Sequence, residues 1–306
     1  MRSLFAFALV SAFSLTQLGC IKSMLVNGQI SSTRKAAGAF DSIADWDLAR
    51  SAASAGLVQF EGLHKLAPDN EDGLFLLVKS WVGYGYAFPE DEYEAATAAD
   101  NNALAEYHKG RAQHAYDRAL FYGMELLARH AEGFDAAKRD LPSLKAWLDA
   151  SFTAPEDAET LFWVANAWLA RVNIAKEDPE QVARLWVGVA MMERSVALDP
   201  TYMGWGGTAT LASYHARSGM AELDLAKTQF ETAIAKTNRK ALLPIMNYGA
   251  RYGCVKNDRA LYEKLLKEVV DAGDVDPENR LQNMLAKRRA SRYLKKSWML
   301  NECGFE

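Results

Sequence analysis

The sequence has few of the features that mark β-structure. Runs of alternating Val, Ile and Thr are scarce, and the 306 residues include 20 Gly and only 8 Pro. A half-buried strand shows an alternation of apolar and polar residues, so its scarcity argues against a β-sheet protein. Ala and Leu are abundant instead, and both are strong helix formers. The composition therefore predicts an all-α fold.

Signatures of catalysis, metal binding and nucleic-acid binding are also missing. The chain has no His-Glu-x-x-His or Cys-x-x-Cys pattern, so no metal site is expected. It lacks a Gly-x-Ser-x-Gly nucleophile elbow and a phosphate-binding loop, so we predict neither a cofactor nor an enzyme. The formal net charge is only −4, with 24% charged residues, which argues against nucleic acid as a partner.

Long hydrophobic runs are confined to the start of the chain. An uncharged apolar stretch extends from Leu4 to Leu15, and Cys20 follows Gly19. About 12 apolar residues are too few to span a membrane, which needs roughly 20, but they are typical of a secretory signal. We therefore expect residues 1–19 to be a lipoprotein signal peptide and Cys20 to carry the lipid that anchors the protein to a membrane.

The expected lipid anchor also gives the expected compartment. A protein of this kind works in the bacterial periplasm or at the cell surface, with residues 20–44 as the lipidated tether. An Asp directly after the lipidated Cys tends to retain a lipoprotein at the inner membrane. Ile21 occupies that position here, so anchorage at the outer membrane is favoured. Gln17 departs from the usual lipobox, where Leu is commonest, so a signal that ends near a cysteine by coincidence stays open as the alternative.

Cysteine is scarce in the rest of the chain. Once Cys20 is assigned to the lipid, only Cys254 and Cys303 remain. Two thiols in an oxidising compartment predict one disulfide, which would join the C-terminal tail to an earlier turn. Two free thiols, one buried and one on a frayed tail, are the alternative.

Helical periodicity dominates from Asp45 onward, and we predict a single α-helical domain over residues 45–306. Signals that end helices recur about every 38 residues, at Asp199-Pro200, Thr237-Asn238 and Asp276-Pro277. This spacing is close to the roughly 34 residues of tetratricopeptide (TPR) repeats. The pattern predicts a TPR-like solenoid or bundle of helical hairpins, whose stack leaves a concave surface or a bore.

Two runs of charged residues are candidate binding sites. The acidic run Glu90-Asp91-Glu92-Tyr93-Glu94 lacks the ligand spacing and the turn Gly of a calcium loop, and we expect a solvated loop that caps a helix. The basic run Lys287-Arg288-Arg289, Arg292 and Lys295-Lys296 lies late in a predicted last helix over residues 277–299. Cations near the C-terminal end of a helix complement its dipole. The alternative interpretation is that these basic residues form a surface that docks a partner.

Two segments combine aromatic residues with glycine. The first holds Trp81, Tyr84, Tyr86 and Phe88, and the second holds Trp205, Tyr214 and His215. Glycine weakens a helix but allows close backbone approach. Such segments can line an apolar cavity with a few polar tips, as small-molecule sites often have. An ordinary core with an adjoining loop is the alternative.

Several short sequence segments resemble those of a known protein family. They are spread over residues 45–295: Ala67-Pro68-Asp69-Asn70, Gly83 to Glu92, Tyr116 to Gly123, Leu198 to Tyr202, Ala226 to Ala233, and Asn279 to Ala286. Together they resemble the T-component lipoproteins of tripartite ATP-independent periplasmic (TRAP) transporters. The imperfect lipobox and the pair Cys254 and Cys303 are departures or additions.

The resemblance implies a lipid-anchored, TPR-like protein that associates with the periplasmic solute-binding protein of a TRAP transporter and forms homotrimers. It also implies an apolar bore through each subunit, which takes part in handing over organic-acid or hydrophobic ligands. The residues expected to line this bore are Trp81, Tyr84, Tyr86, Phe88, Trp205, Tyr214 and His215. The alternative function is a structural envelope lipoprotein that scaffolds protein assembly without a small ligand.

Overall fold

The computed structural model describes residues 24–217 and 222–306. The expected signal peptide over residues 1–19 and the expected lipid attachment at Cys20 lie outside the described residues. Within them the chain is helical and has no strand, so the predicted all-α fold is confirmed.

The helices are given in chain order. The N-terminal half consists of α1 (24–36), α2 (Gly38–Asp41), α3 (Trp46–Leu66), α4 (Glu71–Ala87), α5 (Pro89–Thr97), α6 (Asn102–His130), α7 (Phe134–Ala137), α8 (Leu141–Ser151), α9 (Asp157–Ile174), α10 (Pro179–Val182) and α11 (Leu185–Leu198). The C-terminal half consists of α12 (Tyr202–His215), α13 (Leu223–Lys236), α14 (Leu242–Asn247), a π-helix (Tyr248–Gly253), α15 (Arg259–Asp271), a 3₁₀ turn (Pro277–Asn279), α16 (Arg280–Tyr293) and α17 (Lys296–Cys303).

Side-chain caps explain why several helices begin where they do. Asp45, Asn70, Asn101, Asp140 and Asp258 each precede a helix and accept a hydrogen bond from the backbone N–H three residues later. Each cap pairs one of the amide groups that a helix N-terminus leaves without a partner. The sequence therefore determines these boundaries locally.

Two predicted elements differ from the structure. The predicted acidic loop is the helix α5. The predicted last helix is divided into the 3₁₀ turn, α16 and α17, because Lys295 has extended backbone angles.

Consecutive helices pack as neighbours and build two main cores. Contacts between α3 and α4, α5 and α6, α9 and α11, and α12 and α13 are extensive. One core is formed by α4, α6, α8, α9 and α11, and the other by the helices from α12 onward.

Helix α16 connects the end of the chain to its beginning. A third apolar cluster joins Ala49, Ala87 and Phe88 of the first helices to Leu281 and Leu285 of α16. Helix α16 also contacts α2, α3 and α5. The end of the stack of hairpins therefore packs against its beginning.

Candidate functional site

One face of α4 is packed less closely than the rest of the helix. Lys79, Gly83 and Tyr86 are spaced by four and three residues, so they share a helix face. All three keep partial exposure, although most of α4 is buried. A Cβ atom built on Gly83 would have no heavy atom within 4 Å. We call the space beside Lys79, Gly83 and Tyr86 the α4 recess.

At one end of the α4 recess, Lys79 faces acidic and aromatic groups. Its Nζ lies 5.5 Å from the centroid of the Trp163 ring, and the Trp163 indole N–H donates to the Tyr202 hydroxyl at 2.9 Å. Burial raises the pKa of Asp41, and the Lys79 charge offsets part of that rise. Burial likewise raises the pKa of Glu159, against the opposing charges of Arg34 and Lys79. This end of the recess is therefore lined by charged groups of both signs.

At the other end, Tyr86 meets residues of α16 and the π-helix. The Arg289 guanidinium lies 4.2 Å from the centroid of the Tyr86 ring and donates to the Tyr86 carbonyl at 2.8 Å. Burial raises the pKa of the Tyr86 hydroxyl, and Arg251 is one of the charges near it. Protein thus encloses Tyr86, although its side chain stays partly exposed.

The acidic and basic runs of the sequence pair with each other in the interior. Glu90 and Asp91 are 5% and 1% exposed, and Arg289 is 1% exposed. The Arg289 guanidinium contacts Glu90 at 3.4 Å and Glu94 at 3.5 Å. Burial opposes the charge on Arg289, but the carboxylates of Glu94 and Glu90 and the nearby tyrosines outweigh it and raise its pKa.

Two further arginines of α16 complete the network. Arg292 pairs with Asp91 and, at 3.0 Å, with Glu94, and Arg288 pairs with Asp91 at 3.1 Å. The expectation of a solvated acidic loop is therefore wrong. Most of the basic run is likewise not free to dock a partner, because its arginines compensate buried carboxylates, which would otherwise be very unfavourable.

Of the first predicted aromatic set, Tyr86 alone lies on the recess face. Trp81 and Tyr84 of α4 and Phe88, the residue that follows it, are spaced by three and four residues and point away from the recess face. The Trp81 indole donates to Glu61 of α3 at 3.0 Å, and the Tyr84 hydroxyl accepts from Arg111 of α6 at 2.7 Å. Phe88 is 1% exposed and packs on Trp46, with 5.0 Å between ring centroids. These three side chains join α4 to its neighbouring helices.

The second predicted set lies on α12. Trp205 belongs to a left-handed turn over residues 203–205, and Lys236 lies 5.6 Å from the centroid of its ring. Arg217 lies over the Tyr214 ring, and His215 Nδ1 is 2.7 Å from a Glu222 carboxylate oxygen. Among the described residues, no ring contact joins this set to the aromatic residues of α4.

Two cations were not singled out from the sequence. Lys79 is the only charged residue from Leu74 to Phe88, and Arg251 is the only charged residue in the stretch 241–255. A single charge inside a long uncharged stretch is the signal that could have identified them.

Cys254 and Cys303 are joined by a disulfide in the structure, with their Cα atoms 5.1 Å apart. The bond links the residue after the π-helix to the last residue of α17. Nearby, Phe305 is 4% exposed and packs on Tyr262. The C-terminal tail is therefore attached to the second core.

No helix in the described part of the chain is both long and apolar enough to cross a membrane. A search of curated proteins found no match to this chain. The family model of the TRAP transporter T-component matches residues 43–300, which is most of the chain and includes α4, the π-helix and α16. The match includes the recess residues Lys79, Gly83 and Tyr86 as well as α16, and it agrees with the resemblance noted in the sequence: the chain belongs to the TRAP transporter T-component family.

Proposed function

We propose that this chain is a lipid-anchored periplasmic accessory protein of a TRAP transporter, which binds the solute-binding protein and holds a ligand in the α4 recess. The observation that supports the transporter role is the family match over residues 43–300. The observation that supports ligand binding is the open space at Gly83, on a helix whose other faces are packed.

In this proposal, the predicted aromatic residues have different roles. Tyr86 lines the recess directly, and Trp81, Tyr84 and Phe88 hold α4 against α3 and α6 so that the recess keeps its shape. Trp205, Tyr214 and His215 are proposed to line the α12 side of the same bore. Binding would be driven by apolar area removed from water, with few polar contacts that fix orientation.

The anchor and the compartment are part of the same proposal. Acylation of Cys20 would hold the helical domain at the membrane surface, with the outer membrane favoured by Ile21. Bridging of Cys254 and Cys303 fits an oxidising compartment. Association into homotrimers is proposed on the family resemblance.

The transporter role is tested by affinity capture of the full-length chain, solubilised from its own cell envelope in a non-ionic detergent. We expect a periplasmic solute-binding protein of the TRAP class among the captured proteins, identified by mass spectrometry. A second lipoprotein with the same tag is the control. Capture of envelope-assembly or cell-wall proteins alone would contradict the transporter role and support the scaffold alternative.

The recess is tested with two glycine variants in the same chain. Gly83→Trp fills the α4 recess, and Gly62→Trp is the matched control on an exposed part of α3, where a Cβ also meets nothing within 4 Å. We expect both variants to capture the partner and only Gly83→Trp to lose small molecules that co-purify with the wild type. Equal small-molecule content in all three proteins would show that the recess is not the site.

A further inference from the structure

Helix α1 is attached to the domain along its length. Ile30 is fully buried in an apolar cluster that joins α1 to α3 and α4. The side-chain amide of Asn70 donates to the Asn27 side-chain oxygen at 2.8 Å, and Arg34 pairs with Asp72 at 3.1 Å. The beginning of α1 therefore has a defined place on the surface of the domain.

Two large apolar side chains in the first turn of α1 take no part in this packing. Met24 and Leu25 are 74% and 69% exposed. The exposed positions that follow along the helix carry polar or small side chains: Gly28, Gln29, Ser32, Lys35 and Ala36. The exposed apolar area of α1 is therefore concentrated at its N-terminal end. Apolar side chains that cluster on a surface mark a site of interaction.

Leu66 extends this apolar surface onto a neighbouring helix. It is the last residue of α3 and is 60% exposed. Asn27 of α1 contacts Asn70 at the start of α4. One turn later, a Cβ atom built on Gly73 would lie 3.7 Å from Cδ1 of Ile30. Helices α1 and α4 therefore run side by side in the same direction, and the first turn of α1 extends past the start of α4 toward the loop that follows Leu66.

The expected lipid attachment site lies a short distance along the chain from this surface. Cys20 precedes Met24 by four residues, and four residues of extended chain span at most about 14 Å. An acylated cysteine lies in the headgroup layer, which is roughly 5–8 Å thick on each side of the hydrocarbon core. In the anchored protein the first turn of α1 is therefore held at the bilayer surface, and lipid is the occupant that this arrangement favours.

We propose that Met24, Leu25 and Leu66 insert into the lipid surface beside the acylated Cys20. This inference rests on the proposed function, since it takes Cys20 as the anchor. Apolar side chains of interfacial helices are buried by about 5–10 Å at the boundary between headgroups and acyl chains. Lys65, which is exposed next to Leu66, keeps its ammonium among the headgroups. The acyl anchor is a single point of attachment, and these side chains determine which face of the domain meets the membrane.

The test uses the full-length acylated chain in vesicles of phosphatidylethanolamine and phosphatidylglycerol, with an environment-sensitive fluorophore on one introduced cysteine. The labelled variants are Leu25→Cys and Leu66→Cys. Leu300→Cys, at a 48% exposed position on α17, is the control. We expect the labels at positions 25 and 66 to emit at shorter wavelength in vesicles and to lose intensity when brominated lipid is included. The label at position 300 should show neither change, and wild type treated in the same way gives the background.

A charged variant distinguishes insertion from mere closeness to the anchor. Leu25→Glu should reduce the quenching of the Leu66→Cys label by brominated lipid, because a carboxylate is unfavourable in an apolar environment. Leu225→Glu, at a 42% exposed position on α13, is the matched control and should leave that quenching unchanged. If Leu25→Glu has no more effect than Leu225→Glu, the inference is overturned.

Two further outcomes would overturn the inference and leave the transporter role intact. Labels at positions 25 and 66 that are as exposed to water as the label at position 300 would show that the surface does not meet the membrane. Emission at shorter wavelength without quenching by brominated lipid would show that protein covers the surface, such as a second copy of the chain. In either case, capture of the solute-binding protein by the same preparation would leave the proposed function standing.

Mass spectrometry of the same preparation tests the anchor separately. We expect an acyl modification on Cys20 in the wild type and in each variant. A chain without it would contradict the proposed anchor and this inference together, whereas an acylated chain with water-exposed labels contradicts this inference alone.

Discussion

At the residue scale, Glu61 shows how one carboxylate holds three helices together. It accepts hydrogen bonds from the Trp81 indole of α4 and from Arg118 and the Tyr122 hydroxyl of α6, while it lies on α3. Burial alone would raise the pKa of Glu61. The hydrogen bonds from Arg118, Tyr122 and Trp81 outweigh burial and lower that pKa to about 2.

This lowered pKa predicts a specific loss of stability in acid. A carboxylate with a lower pKa in the folded state binds its proton less tightly there than in the unfolded chain, where the ordinary value is 4.5. Its stabilising effect is therefore complete above pH 4.5 and is lost as the pH falls toward 2. Glu61→Gln should reduce the free energy of unfolding at pH 7 by about 1–3 kcal/mol, and should make it less dependent on pH between 4.5 and 2.

The measurement is urea denaturation of wild type and Glu61→Gln at several pH values. Glu125→Gln is a suitable control, because Glu125 makes only an i,i+4 pair with Arg129 on the surface of α6. Parallel pH profiles for wild type and Glu61→Gln would contradict the role assigned to the Glu61 carboxylate.

At the scale of elements, α5 and α16 depend on each other. Helix α5 carries three acidic residues in its first turn, where they complement the helix dipole. Two of them are buried, which is tolerable only because α16 supplies arginines at the same place. The acidic run of α5 and the basic run of α16 were each interpreted from the residues next to them in the sequence. Their pairing was not predicted, because about 200 residues separate the partners.

Removing one partner of this buried network should be strongly destabilising. Arg289→Met leaves Glu90 without compensation and is expected to reduce the free energy of unfolding by about 3–5 kcal/mol. Adding Glu90→Gln should recover part of that loss, since the remaining group is then neutral. Urea denaturation of both single variants and the double variant measures the coupling.

Arg288→Met, on the same helix, is the matched control. The Arg288 side chain is 43% exposed, and its partner Asp91 keeps Arg292 when Arg288 is removed, so we expect a change of about 1 kcal/mol or less. Equal effects of Arg288→Met and Arg289→Met, or strict additivity in the double variant, would contradict the buried network.

At the scale of the whole molecule, two features hold the C-terminal part of the chain in place. Helix α16 packs against the first helices, and the disulfide attaches the C-terminal tail to the second core. The disulfide spans 49 residues of sequence, and such a bond removes conformational freedom from the unfolded chain. The double variant Cys254→Ser, Cys303→Ser is therefore expected to lose about 4 kcal/mol of unfolding free energy. Urea denaturation with and without a reductant checks this value.

Reductant should destabilise the wild type and leave the double serine variant unchanged. Thiol counting on protein isolated from the periplasm gives an independent answer. Two titratable thiols from Cys254 and Cys303, or wild-type stability that does not respond to reductant, would show that the bond does not form in the cell.

The sequence alone determined the helices and many of their boundaries. Their apolar period and capping residues act within a few residues, so the starts of α4, α6 and α15 follow from Asn70, Asn101 and Asp258. The family resemblance likewise rested on short sequence segments. The pairing of Glu90 with Arg289, and the packing of Leu281 of α16 against Phe88, were decided only by the tertiary structure. The physical reason is that burial depends on which distant helices meet, and the energy of a charge depends on what surrounds it there.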